Sequence, residues 1–451
     1  MEKVRILEFS VKRLHKFYDI TVRFDNNVVI LVGENGSGKT TICKMLYYIL
    51  TRDWRQLDRY QFDLVRLSFI DKTSHKHSIT LRKDDVGSFS NFSQVTNRHR
   101  YMLRRYESDF SELVAEDTDI DEMDDETKQA LALYKQASSR VEHELLRYKE
   151  IDNLIRRSFE NGVLYLPTYR RIEDDESELF QFEDKRYQSN RPLKHSSEMI
   201  HFGMRDVEKA IKNRQVELSL YSSREQNALM SRFLHQALRV NSLPSLNKLR
   251  ATTDDELSEA LSRISSANFT EQERDLLFDA FHDATNMHSH IFDESQNSII
   301  ITFLLELLRF NKNIKAKERA MIDFMQKCNH YLENKLVAYT PSDFSCKLNG
   351  GSVYDANARE TSWGDLSSGE KQIVSLFSKL ILEMHSGLFV IIDEPELSLS
   401  IEWQSKFLCD IVDCDSCNGL LAVTHSPFIF NNNLVCYVHG INEFTEVHNH
   451  E

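Results

Sequence analysis

The sequence predicts an α/β fold in which a mixed or parallel sheet with flanking helices is interrupted by large, coiled-coil-like helical insertions. Strand-like apolar segments separated by turns occupy residues 1–105 and return over residues 336–451. Between them, residues 106–335 show the three- and four-residue apolar spacing of helices. Only 13 glycines and 6 prolines occur among 451 residues, which favours long helices over sandwiches or propellers.

The middle zone contains one predicted helix and one predicted strand that bear on the architecture. From Tyr134 to Ile155 the apolar residues step by threes and fours, as on one face of a long helix. This helix either packs on its own domain or projects as a coiled coil, and the sequence leaves both open. The segment 163–167 is predicted as a core strand, so that two helical insertions flank one strand of the head.

Composition argues against several classes of protein. Hydrophobic residues make up 41% and charged residues 28%, which permits a sizeable core and argues against global disorder. The formal charge of −14 argues against a general nucleic-acid coat. The longest apolar runs are too short to span a bilayer, and the first residues lack a signal peptide's apolar core. Because seven scattered cysteines also suggest no disulfide framework, we expect a cytoplasmic protein without a membrane partner.

The strongest local signal is a glycine-rich loop between an apolar run at 28–32 and an amphipathic helix at 41–50. The pattern G-x-x-x-x-G-K-[ST] is matched by Gly33, Glu34, Asn35, Gly36, Ser37, Gly38, Lys39 and Thr40, followed by Thr41. Glycines permit the tight turn that points successive backbone N–H groups at an anion, and the helix N terminus adds its dipole. The sequence therefore predicts ATP binding, with Lys39 bridging β- and γ-phosphate oxygens and the Thr40 hydroxyl ligating Mg²⁺.

Two carboxylates, Asp393 and Glu394, follow the continuous apolar run 388–392. Such a run suits a strand covered on both faces of a parallel sheet, and parallel sheets bind ligands at their carboxyl ends. We expect Asp393 to hold Mg²⁺ through water and Glu394 to orient and deprotonate an attacking water. The alternative, a strand that merely ends in solvated acids, leaves the glycine-rich loop unexplained.

Three further segments resemble motifs of the ABC ATPase superfamily. Leu366–Glu370 resembles the signature motif, in which Ser367, Ser368 and Gly369 would cap the γ-phosphate of a nucleotide held by another subunit. The segment 396–400 resembles the D-loop. His425, in the Thr424–Pro427 segment after an apolar run, resembles the switch histidine.

In chain order these motifs resemble the ABC-type heads of SMC, RecF and OLD-like proteins. The phrases at 31–41, 165–173 and 393–399 are similar to those of stand-alone OLD-like ATPases of bacterial anti-phage systems such as PARIS. The resemblance implies a homo-oligomer built from head-to-head dimers, each site combining Lys39 and Glu394 with Ser367 of a second chain. It also implies a phage trigger protein and a separately encoded TOPRIM nuclease effector that the ATPase holds and releases.

The chain departs from this pattern in places. Ser400-Ile401 stands where the D-loop commonly continues His-Pro, which puts that segment's contacts in doubt. No clear Q-loop glutamine is present, so Arg170 or Arg171 senses the γ-phosphate or else bonds nearby carboxylates. Only 26 residues follow His425, so we expect no TOPRIM nuclease in this chain, and we interpret Asp413-Cys-Asp415 as a solvated turn.

A second reading is a RecF- or SMC-like ATPase that clamps DNA during repair or chromosome maintenance. The candidate segment for DNA contact is Arg98–Arg105. The preferred interpretation of this segment is a solvated basic turn that faces the acidic run 107–126. That run is interpreted as a solvated loop or as a dock for a basic partner. A transporter subunit is disfavoured by the large helical insertion, and the single pair Cys414-x-x-Cys417 is weak support for zinc.

Overall fold

The computed structural model describes residues 3–34, 36–92, 144–160, 162–167, 203–238, 249, 251–263, 270–285, 294–351, 359–383, 387–397 and 399–448. Several features discussed above lie outside these ranges: Asn35, residues 98–105, residues 107–126, the predicted helix from 134 to 143, Arg170, Arg171 and Ser398.

The strands, in chain order, are β1 (Arg5–Leu14), β2 (Tyr18–Arg23), β3 (Val28–Val32), β4 (Leu64–Ile70), β5 (Lys76–Arg82), β6 (Val163–Leu166), β7 (Lys335–Thr340), β8 (Ser345–Gly350), β9 (Arg359–Glu360), β10 (Leu388–Asp393), β11 (Cys417–Thr424), β12 (Val438–Gly440) and β13 (Thr445–Val447). The helices are α1 (Lys39–Thr51), α2 (Trp54–Asp58), α3 (Lys83–Phe92), α4 (144–158), α5 (Met204–Ala237), α6 (Asp254–Ser262), α7 (Glu271–Thr285), α8 (Glu294–Asn329), α9 (Ser368–Phe377) and α10 (Ile401–Val412). A π-helical segment, Ser378–Glu383, continues α9, and 3₁₀ turns lie at Trp363–Asp365, Pro427–Ile429, Val435–Tyr437 and Ile441–Phe444.

The described residues fall into two compact units, one drawn from 1–201 and 384–451 and the other from 202–383. These bounds differ from the three zones of the sequence, because residues 336–383 pack with the helices of the second unit. The signature segment therefore belongs to the second unit, whereas the glycine-rich loop and the paired carboxylates belong to the first.

A five-stranded parallel sheet organises the first unit. Its strand order is β12-β3-β11-β10-β6, so that β11 lies between β3 and β10. Strand β10 is buried at every position, as a strand covered on both faces requires. Strands from the two ends of the sequence thus share one sheet, and β6, in the segment predicted as a strand, pairs with β10 at its edge. The predicted α/β class, with helical segments between the strands, is confirmed.

An antiparallel sheet of order β13-β2-β1-β4-β5 completes the first unit. Apolar side chains of this sheet, of α1 and of the parallel sheet form one core, which includes Phe9, Met45, Leu46, Ile391 and Leu421. Burying one such side chain contributes about 1.5–3 kcal/mol. This core fixes α1, and with it the glycine-rich loop that precedes α1.

The second unit is built around α8, which packs on α5 and on the small antiparallel sheet β7-β8-β9. A buried ion pair links its elements: Arg263 donates from Nη2 to Glu318 Oε2 at 2.6 Å. The Tyr339 hydroxyl donates to Glu318 Oε1 at 2.8 Å. Because Glu318 is fully buried, removing either donor would leave a poorly compensated charge in the interior.

None of the helices in the described part of the chain contains an apolar stretch that could span a bilayer.

Close packing between two backbone segments fixes Gly419 in β11. Asn27 is buried beside it, accepting from Ile6 N at 2.7 Å and donating from Nδ2 to the carbonyls of Val4 and Asn418. A Cβ at position 419 would lie 2.4 Å from Asn27 Nδ2 and 2.7 Å from the Asn27 carbonyl oxygen. The position therefore excludes every side chain.

We predict that Gly419→Ala lowers the free energy of unfolding by about 1–3 kcal/mol, the usual cost of overpacking a closed site. The matched control is Gly87→Ala in α3, where the nearest atom to the new Cβ is 3.8 Å away and alanine favours the helix. Urea unfolding followed by circular dichroism compares the two. A Gly419→Ala chain as stable as the control would contradict this account.

Candidate nucleotide-binding site

The glycine-rich loop joins the carboxyl end of β3 to the first turn of α1. Gly36 and Gly38 have φ of 81° and 89°, the left-handed region in which a Cβ is unfavourable. No atom lies within 4 Å of a Cβ built on Gly36, so its requirement is conformational. Gly33 is required by packing instead, because a Cβ there would lie 2.8 Å from Ile441 Cγ2.

Lys39, the first residue of α1, folds its side chain back over the loop. Its Nζ donates to the carbonyl oxygens of Gly33 at 2.8 Å and Glu34 at 2.7 Å and to Ser37 Oγ at 3.2 Å. Burial lowers the pKa of Lys39, and the nearby carboxylates of Asp393 and Glu394 oppose that shift. The loop thus holds the ammonium group through three oxygen acceptors.

Thr40 and Asp393 meet across the sheet edge. Thr40 Oγ1 donates to Asp393 Oδ1 at 3.1 Å, and Asp393, the last residue of β10, is fully buried. A hydroxyl and a carboxylate are hard oxygen ligands of the kind Mg²⁺ prefers, with phosphate and water oxygens completing its octahedron. The two residues predicted as metal ligands are therefore brought together and fit that ion.

Glu394 follows β10 with φ of 52°, a strained value for a residue with a Cβ. Its backbone N–H donates to the Val423 carbonyl at 2.8 Å, which ties the turn after β10 to β11. In this conformation the Glu394 side chain lines a cavity at the sheet edge. Such outliers persist where the surroundings over-determine them, and they cluster at functional sites.

This cavity, which we call the edge cavity, has a volume of 290 Å³. It brings together most of the residues predicted from the motifs in the first unit: Gly36, Ser37, Gly38, Lys39, Thr40, Thr41, Glu394 and His425. Four lining residues come from the β1–β2 hairpin and were not predicted: Leu14, His15, Tyr18 and Ile20. Ile20 Cδ1 lies 3.6 Å from a Cβ built on Gly38, which shows how the hairpin abuts the loop.

The loop that carries His425 is held by Glu396, which the sequence presented only as part of a D-loop-like segment. Glu396 Oε1 accepts from the backbone N–H groups of His425 at 2.8 Å and Ser426 at 3.2 Å. Glu396 Oε2 accepts from Thr424 Oγ1 at 2.8 Å. The one feature of the sequence that could have indicated a role for Glu396 in the site is its acidic side chain three residues beyond Asp393.

The signature segment caps α9 in the second unit. Ser367 Oγ accepts from Glu370 N at 3.4 Å, and Glu370 Oε2 accepts from Ser367 N at 2.6 Å. Lys335 Nζ donates to the same carboxylate oxygen at 2.8 Å. Ser367 and Ser368 are exposed at the start of the helix, while Gly369 is buried.

The cysteine pair behaves as core. Cys414 and Cys417 are buried, and their thiols donate to the carbonyls of Asp410 and Gly419. Burial raises the pKa of Cys417 to about 11, which disfavours the thiolate that a metal ligand requires. Within the described ranges, no three His, Cys, Asp or Glu side chains group as a metal-binding cluster.

The fold and the edge cavity define a P-loop nucleotide-binding protein. The family model described as the AAA ATPase domain matches residues 5–430, and the chain belongs to this family.

Solved structures similar to the chain include two Smc head domains. One, from Pyrococcus furiosus, has an extended coiled coil and is bound to the C-terminal domain of ScpA; its TM-score is 0.35 at 10% identity, covering 99% of this chain and 96% of that one. The other, from Pyrococcus yayanosii, has a coiled coil and joint; its TM-score is 0.32 at 12% identity, covering 99% and 97%. No curated protein matches the chain.

The backbone strain at Glu394 gives a stability prediction. Both Glu394→Gly and Glu394→Ala remove the carboxylate, but only glycine relieves the left-handed conformation. Relief of the left-handed backbone strain raises the free energy of unfolding of the glycine variant by about 1–2 kcal/mol relative to alanine. The larger entropy of unfolded glycine lowers it by about 0.5–1 kcal/mol. We therefore expect the glycine variant to be more stable by up to about 1.5 kcal/mol. Thermal unfolding of the pair tests this, and a more stable alanine variant would contradict it.

Proposed function

We propose that this protein binds and hydrolyses ATP with Mg²⁺ and acts as a molecular switch in an anti-phage defence system. The observation that carries the ATPase part is the edge cavity, which Lys39, Thr40 and Glu394 line while Asp393 is hydrogen-bonded to Thr40, at the carboxyl ends of the parallel strands β3 and β10 on either side of β11. Membership of the AAA ATPase domain family supports the same activity.

In this proposal the loop binds the triphosphate. Lys39 Nζ exchanges the Gly33 and Glu34 carbonyls for β- and γ-phosphate oxygens, which are stronger acceptors because they are charged. The N–H groups of the loop and the N terminus of α1 add donors and a favourable dipole. Thr40 and Asp393 would hold Mg²⁺, which when bound neutralises charge on the β- and γ-phosphates.

The hairpin side of the edge cavity is suited to the base. Tyr18 is 41% exposed and, with Leu14, His15 and Ile20, offers an aromatic and largely apolar wall beside the phosphate loop. The faces of aromatic side chains stack favourably on the faces of nucleobases. We infer that the adenine of ATP lies against this hairpin.

Hydrolysis then falls to the residues at the ends of β10 and β11. Glu394 would orient and deprotonate the attacking water, and His425 would face the γ-phosphate from the neighbouring loop. Both side chains line the edge cavity beside Lys39, so the reacting groups would share one volume.

We infer that two heads close on two ATP molecules. Leu397, Ile401 and Phe428 lie on the turns and the helix that follow β10 and β11, and they are 41%, 58% and 45% exposed. Contiguous exposed apolar patches mark interaction sites, and we infer that these three side chains belong to the surface that the second head covers. The exposed Ser367 at the start of α9 would meet the γ-phosphate held by the partner, as the ABC resemblance implies.

The defence role rests on resemblance. In size and layout the chain looks most like AriA, the ATPase of the PARIS system, in which a separately encoded TOPRIM nuclease is the effector. We propose that a phage protein triggers the switch and that separation of the heads releases such an effector in the cytoplasm. We also propose that the heads assemble into oligomers larger than dimers.

The head-to-head sandwich predicts a trapped state. Glu394→Gln keeps the size of the side chain but removes the base, so ATP should persist and hold the heads together. We expect size-exclusion chromatography with light scattering to show a larger species in ATP and Mg²⁺ than without nucleotide. Glu394→Gln combined with Lys39→Ala is the control and should not shift. A mass that is unchanged by ATP would count against the sandwich.

Co-expression tests the effector. The chain should co-purify with the product of an adjacent open reading frame carrying a TOPRIM domain, and the complex should release that product when a phage trigger is added.

Phe428→Asp should weaken the assembly of the two heads, and Leu146→Asp, on the exposed face of α4, is its matched control. A monomer that ignores the neighbouring product but binds DNA in a salt-dependent way would favour the DNA-clamping reading instead.

A further inference from the structure

We propose that Glu396 is a positioning residue for ATP hydrolysis, which fixes His425 and Glu394 in one frame without touching the nucleotide. This inference rests on the proposed ATPase activity and concerns its hydrolytic step. It is carried by a carboxylate whose two oxygens accept three hydrogen bonds from three consecutive residues.

The contacts of Glu396 define the path of the loop after β11. Thr424 is fully buried, and its hydroxyl accepts from Ser426 N at 3.0 Å while donating to Glu396. The backbone N–H groups of His425 and Ser426 both point at the other carboxylate oxygen. A loop held at three successive residues has little freedom, so the direction in which His425 leaves the backbone is set by Glu396.

A second set of bonds closes the same frame from the side of α10. Ser426 Oγ donates to Gln404 Oε1 at 2.6 Å, and Gln404 Nε2 donates to the Leu399 carbonyl at 3.0 Å. The turn after β10 is therefore joined to the loop after β11 at two points. Glu396 makes one link directly, and Leu399 makes the other through Gln404.

Glu394 belongs to this frame as well. Its backbone N–H donates to the Val423 carbonyl at 2.8 Å. Val423 lies two residues before His425, and Glu394 lies two residues before Glu396. Because one rigid unit presents both side chains to the edge cavity, a shift of either loop would change their separation. Misplacement by about 1 Å can cost about 100-fold in rate.

The alternative is that Glu396 acts through its charge, as a base or a metal ligand. The geometry favours positioning, since three donors of the loop after β11 occupy the carboxylate. Glutamine separates the two roles. Its amide oxygen can accept from His425 N and Ser426 N, and its NH₂ group can donate to Thr424 Oγ1, so the frame survives without the charge.

The experiment measures ATP turnover and ATP affinity on the full chain. For Glu396→Ala we expect kcat to fall about 10- to 100-fold while the dissociation constant of ATP, measured by titration with Mg²⁺, stays within about threefold. For Glu396→Gln we expect kcat within about threefold of the wild type. Thr424→Val removes the two hydrogen bonds of the hydroxyl, to Glu396 and from Ser426 N, but leaves the two backbone donors to Glu396 in place. It should lower kcat by a smaller factor, which keeps the test sharp should the alanine variant not fold.

Three outcomes would overturn the inference: an unchanged kcat in Glu396→Ala, a parallel loss of ATP affinity and kcat, or a glutamine variant as inactive as the alanine variant. The last would assign Glu396 a role through its charge. Failure of the proposed function is separate, since it would appear as wild-type turnover that does not depend on Lys39.

Discussion

The parallel pairing of β11 with β3 on one side and β10 on the other is the constraint on which the site depends. Thr424 lies opposite Val32, and Val423 lies opposite Asp393, so all three strands end at the same level. Each strand then turns into a segment with its own chemistry: a loop of N–H groups and an ammonium, a pair of carboxylates, and a histidine. Backbone hydrogen bonds therefore place side chains that are hundreds of residues apart within one cavity.

The parts of the site that are encoded locally could be predicted from the sequence. The glycine-rich loop and the strand that precedes it lie within 13 residues, so that their glycines, lysine and threonine predict a local conformation and a class of ligand without reference to distant residues. Asp393 was predictable because a buried parallel strand must end where ligands bind. Its contact with Thr40 followed from shared sheet topology.

Other parts depend on packing that no local pattern reports. Tyr18 lines the edge cavity together with Ile20, which lies beside Gly38, and nothing in the hairpin's sequence indicates that neighbour. Glu396 reads as one acid among several until its three donors are seen. The division near residue 383 differs from the zone boundary at 335/336 because alternation indicates a strand but not the sheet that it joins: β7 and β8 have the pattern of the strands in the first unit yet form a sheet of the second unit.

The hydrogen bond between Thr40 and Asp393 spans 353 positions of sequence, and it bears on biosynthesis. During translation β3 leaves the ribosome well before β11 and β12, the two strands that flank it in the sheet. Until then its hydrogen-bonding edges are unsatisfied, and contacts of such separation form slowly. A polypeptide interrupted before β10 would thus present the glycine-rich loop without Asp393 and Glu394, so the residues of the edge cavity come together only after β10 and β11 have been made.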